Sequence, residues 1–78
     1  MSYGYSQRLI EANKVAEDSL GVALGRLCIE RGITVNEISK YLGVSRATIY
    51  NWFWGTHTPA REHSDNISSF MRQHKKRK

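Results

Sequence analysis

The chain has 78 residues, of which 40% are hydrophobic and 24% charged, with twelve Lys+Arg against seven Asp+Glu and a formal net charge of +5. A length of this order implies one domain with a small core, which argues against a multidomain enzyme, a repeat array and an enclosed substrate pocket. One Cys makes no internal disulfide, no apolar run approaches the roughly 18 residues of a membrane helix, and the excess charge favours a polyanionic partner.

The charge is unevenly placed. Residues 1–39 hold four basic groups against five acidic ones, whereas residues 40–78 hold eight against Glu62 and Asp65. The second half is the candidate electropositive face. One proline and helical apolar spacing predict an all-α chain. Residues 1–5 carry Gly4 and no periodicity, and are expected to form a loose arm.

Ser6 is placed to cap a first helix. Leu9, Ala12, Ala16, Leu20, Ala23, Leu24 and Leu27 then recur at steps of three and four, with Asp18-Ser19 as either a cap or a break. Whether residues 6–17 are separate from the next helix stays open. Gly21 and Gly25 lie four apart on one face and would admit a close helix. Gly32 is the expected left-handed stop. Thr34 and Glu37 read as a capping box, followed by Val35, Ile38, Tyr41 and Leu42 as a buried side. Gly43 ends that helix after about two turns. Ser45 caps the next, with Ile49, Trp52 and Phe53 inward and Gly55 as its stop. Thr58-Pro59 is the expected start of a last helix, with Thr as cap and Pro at the first position. Ala60, Ile67, Phe70 and Met71 supply its apolar stripe. Residues 74–78 form a basic tail with nothing to bury, expected to be disordered when unbound.

The stretch from Ile38 to Trp52 has an informative geometry. Two short helices are joined at Gly43 to Ser45, and a small residue, Ser39, sits where they must cross. Ile38, Leu42, Val44, Ile49 and Trp52 fall where they would lock the pair at a steep angle. The start of the second helix then projects, as a helix entering a DNA major groove does.

From about Leu20 to Phe70 the chain resembles the Cro and phage-repressor helix-turn-helix family, the Cro/CI or XRE type. Arg31-Gly32-Ile33-Thr34 is similar to that family's first junction, and Trp54-Gly55-Thr56-His57-Thr58-Pro59 to its exit from the recognition helix. The resemblance implies an all-α, compact four- to five-helix bundle of lambda-repressor-like type. A single domain would cover 6–74, with the helix-turn-helix at about 34–54 and a basic tail at 75–78. It implies a sequence-specific double-stranded DNA-binding regulator, most simply a repressor, in the cytoplasm of a prokaryotic or phage-infected cell. Many members carry a buried Arg–Glu pair. Here those positions are Cys28 and Phe53, which suggests an apolar contact in its place.

Carried onto this sequence, the family's base-reading positions are Arg46, Ala47, Tyr50 and Asn51. Arg46 suits guanine N7 and O6, Asn51 the adenine N6/N7 edge, and Ala47 a thymine methyl. The phosphate candidates are Lys40, Ser45, Thr48, Thr56, His57, Arg61, Lys75, Lys76, Arg77 and Lys78. The tail is equally readable as a solubilising end. A homodimer, at least on DNA, would give half-sites one helical turn apart. Phe53 and Trp54 are candidates for a protein partner, Trp54 also for core or backbone contact. Two other functions remain open: a protein-interaction module of anti-repressor or inhibitor type, and an architectural, excisionase-like DNA binder. Cys28 reads as a small core residue. The three His residues with Cys28 match no zinc spacing, and no cofactor, metal or catalytic set is expected.

Overall fold

The computed structural model describes residues 5–75, and among these there are five helices and no strand. They are α1 (Gln7–Val15), α2 (Leu20–Arg31), α3 (Val35–Leu42), α4 (Arg46–Trp54) and α5 (Arg61–Lys75). The expectation of an all-α bundle of four to five helices holds, at five among the described residues. No helix among the described residues is long and apolar enough to cross a membrane.

Four of the helices start on a hydroxyl. Ser6, Ser19, Thr34 and Ser45 each accept from the backbone N–H three residues on, at Leu9, Val22, Glu37 and Thr48. Each bond satisfies a first-turn donor that has no partner within the helix. Ser19 settles the open point between residues 6 and 27: α1 ends at Val15, the chain extends, and α2 begins anew. Gly32, Gly43 and Gly55 each follow a helix with left-handed φ.

α2 is the central element and packs against α1, α4 and α5. The expected close approach occurs at its glycines. A Cβ on Gly21 would lie 2.8 Å from the Cβ of Trp52, and one on Gly25 would lie 2.9 Å from Cγ of Phe53. The missing side chains therefore let α4 seat directly on the α2 backbone. The core is one cluster that includes Leu9, Leu24, Cys28, Ile38, Ile49, Trp52, Phe53, Ile67 and Phe70. Cys28 and Phe53, read above as replacing an ion pair, have no exposed surface. Burial pushes the Cys28 thiol up to about 12, with Glu37 adding to the rise. Such a thiol is a core group, not a nucleophile.

Five expectations need correction. Tyr5 is not part of a loose arm. It is 2% exposed, its hydroxyl donates to the Ile33 carbonyl, and its ring lies 5.9 Å from that of Phe53. Residues 1–4 of that arm lie outside the described residues. Tyr41 is not on the buried side of α3. The buried ridge is Val35, Ile38 and Leu42, and Tyr41, one step off it, leans edge-on against Phe70. α5 starts at Arg61, not at Pro59. Pro59 instead packs toward α2, where its Cδ would be 3.1 Å from a Cβ on Gly21. Ala60 is exposed and takes no part in the apolar stripe. His74 and Lys75 continue α5, and the His74 ring stacks 4.3 Å from Phe70. A tail beginning at His74 overlooked this aromatic contact.

Candidate nucleic-acid interface

α3 and α4 are joined by a turn of one residue type at each critical point. Gly43 has φ +72°, a region L side chains avoid, and its N–H closes α3 on the Ser39 carbonyl. The Ser39 hydroxyl reaches across and donates to the Val44 carbonyl at 2.6 Å. That bond ties the turn to α3 and explains the small polar residue there. Ser45 then caps α4, and its hydroxyl also lies 2.9 Å from that of Thr48. Ile49, Trp52 and Phe53 hold the inner face of α4 in the core.

The outer face follows from the same periodicity. Arg46, Ala47, Tyr50 and Asn51 fall at i, i+1, i+4 and i+5, and all four are exposed. Arg46 occupies the first position of α4, and the first turn holds no acidic residue. A cation there opposes the helix macrodipole. Among the described residues, no group engages the Arg46 guanidinium or the Asn51 side-chain amide.

The backbone of Asn51 has a different task. Its carbonyl accepts from the N–H groups of Gly55, Thr56 and His57 and from the Thr56 hydroxyl. The exit loop is thereby folded back over the end of α4. It brings Thr56 and His57 to the same side as Asn51, with the Thr56 hydroxyl 3.3 Å from Nδ1 of His57. Asn51, Thr48, His57, Thr58 and His63 line an open cleft of about 310 Å³ with Trp52. The His63 ring lies 5.6 Å from the Trp52 ring. Thr58 and His63 were not among the sequence candidates. Their signal was their place beside the expected exit loop.

The structure thus gathers Arg46, Ala47, Tyr50 and Asn51 on one face, with Ser45, Thr48, Thr56 and His57 at its two ends. Lys40 is exposed in the last turn of α3, and Arg61 is exposed at the start of α5. The side chains of Lys75, Lys76, Arg77 and Lys78 lie outside the described residues. Phe53 is corrected as a partner surface, because it has no exposed area. Trp52 is 3% exposed, as expected of an inward residue, and Trp54 packs partly against the core, one of the places open to it. Among the described residues, no group of three or more His, Cys, Asp or Glu could hold a metal ion.

Sequence reasoning missed Asn13 altogether. It is 2% exposed, and its Nδ2 donates to the Phe53 carbonyl at 2.8 Å and the Val22 carbonyl at 3.2 Å. Its position four after Leu9, on the core-facing side of α1, was the available signal.

Residues 23–54 match a family model described as a homeodomain-like domain, which is less than half of the chain but takes in most of α2 and all of α3 and α4. No curated protein and no solved structure gives a significant match. The matched segment is the one whose geometry is described above, and the chain carries a helix-turn-helix of the DNA-binding kind.

Proposed function

We propose that the protein reads double-stranded DNA sequence-specifically and regulates transcription, most simply as a Cro-like repressor. α4 enters the major groove. Arg46 bonds guanine, Asn51 bonds adenine, Ala47 meets a thymine methyl, and Tyr50 contacts a base edge or sugar. Ser45, Thr48, Thr56, His57, Lys40 and Arg61 hold phosphates on either side, with the basic residues 75–78 as a further grip.

The observation that carries this reading is Arg46. A cation opposing the dipole at a helix start costs some stability, about 0.3–1 kcal/mol for an exposed group. No described residue compensates it. A local rule broken without an internal gain points to an external anion or acceptor. One such helix reads few base pairs, which favours a homodimer on half-sites one helical turn apart.

Selection of duplexes from a random pool tests the reading, followed by affinity measurements across a salt series. A large ratio between selected and random duplexes that survives high salt is the expected result. A steep salt slope without a ratio would assign an architectural binder instead, and no duplex binding at low salt a protein-interaction module. Arg46→Ala should relax the preference at one guanine position, by about 1–3 kcal/mol. Equal weakening on all duplexes would remove Arg46 from base reading.

A further inference from the structure

We infer that Asn13 is a positioning residue for the recognition helix and that α1 is the brace through which it acts, an inference that rests on the DNA-reading role proposed for α4. Asn13 is the one buried amide or charged side chain among the described residues. Its amide nitrogen spends both protons on carbonyls of two different helices, Phe53 at 2.8 Å in α4 and Val22 at 3.2 Å in α2. Phe53 lies in the last turn of α4, where carbonyls lack a partner within the helix. It also lies within one turn of Tyr50 and Asn51. A planar amide bonded to both helices adds a directional constraint on their separation and on the rotation of α4 about its axis, which non-directional apolar contact does not supply.

Two neighbours serve this contact. Gly25 vacates the space the amide fills, since a Cβ there would lie 2.7 Å from Nδ2 of Asn13. Arg26 holds the end of α1 in place. Its guanidinium donates to the carbonyls of Asn13, Lys14 and Ala16 at 3.2, 3.4 and 3.1 Å, and to the Asp18 carboxylate at 2.8 Å. A continuous chain of bonds thus runs from Asp18 through Arg26 and the end of α1 to Asn13 and the end of α4. A side chain that only filled the core would not need an amide, because burying one is costly, and here the cost is offset through the nitrogen, whose two bonds both go to helix carbonyls. Base contacts, in contrast, depend on placement within about 0.5 Å.

The test uses the full chain and the selected and random duplexes described above, at one salt concentration, with circular dichroism confirming the helices at the assay temperature. Asn13→Ala should bind random duplexes as the wild type does, while the selected-to-random ratio falls about ten-fold, the size of one bidentate base contact. Arg26→Gln, which leaves no buried cavity, should lower the ratio in the same direction by less. A folded Asn13→Ala with the wild-type ratio overturns the inference. If Asn13→Ala does not fold, Arg26→Gln decides: a lowered ratio with random affinity retained supports the brace, and an unchanged ratio overturns it. A wild type without any ratio overturns the DNA-reading role itself, a different result.

Discussion

The segment before Ser19 and the α3–α4 unit are held to one core by different means. α3 and α4 meet through apolar side chains, hydroxyl caps and a left-handed glycine, each acting within a few residues of itself. The N-terminal segment adds contacts aimed at distant backbone carbonyls. Tyr5 bonds to Ile33, Asn13 to Val22 and Phe53, and Arg26 bonds back to the end of α1. Apolar packing gathers elements at low cost, while directional bonds decide how they sit. The difference therefore suggests a division of tasks: the α3–α4 unit presents a face, and the N-terminal segment sets its angle.

The junction between the two regions should be the most sensitive point. Gly25→Ala puts a Cβ between the Asn13 amide and the Phe53 ring. Overpacking of this kind outweighs the helix gain of about 1 kcal/mol, so a net loss of about 2 kcal/mol is expected in denaturant melts. An equally stable variant would show that the two regions are not tightly joined.

A second effect comes from two groups buried in the same core, Tyr5 and Cys28. Burial raises the pKa of both Tyr5 and Cys28 above their ordinary values of 10.0 and 9.0. Both are neutral when protonated, so the unfolded chain releases their protons first as pH rises. The stability they contribute is complete below pH 9 and is lost as pH rises through 9 toward about 12. Unfolding at pH 8 and pH 10 should differ by about 1–2 kcal/mol, and Cys28→Ala should remove most of the difference.

Gly43→Ala examines the α3–α4 unit alone. A Cβ there meets nothing within 4 Å, so only the positive φ opposes it. The expected loss is about 1 kcal/mol, with α1 unaffected in hydrogen exchange. The smallest effect should follow Asp18→Asn. Asp18 is 92% exposed beside Arg26, and such pairs contribute little, so a change under about 0.5 kcal/mol is expected. A larger loss would mean that Asp18 holds Arg26 on the carbonyls of α1.

Much of the fold was legible because its signals are local. Ser6, Thr34 and Ser45 cap helices by reaching three residues ahead, Ser19 was readable as either a cap or a break, and the two α2 glycines sit on one face at a spacing that admits a close helix. On α4 the inward Ile49, Trp52 and Phe53 were legible for the same reason, while Arg46, Ala47, Tyr50 and Asn51 were singled out through the family resemblance, which the exposure of all four agrees with. The start of α5 was misread because Thr58-Pro59 has the local pattern of a helix start. The exit loop, drawn back onto the Asn51 carbonyl, instead extends the chain to Arg61 and turns Pro59 into a packing residue.

The sequence by itself determined that this is an all-α chain, where α1, α3 and α4 begin, and which residues α4 turns inward. Periodicity and caps act over a few residues and need no partner. Only the tertiary structure decided that Tyr5 enters the core, that Tyr41 lies beside Phe70, and that Asn13 joins α1 to the end of α4 across 40 positions of chain. Those contacts depend on which carbonyls and rings the folded helices bring together, and spacing along one helix carries no record of that.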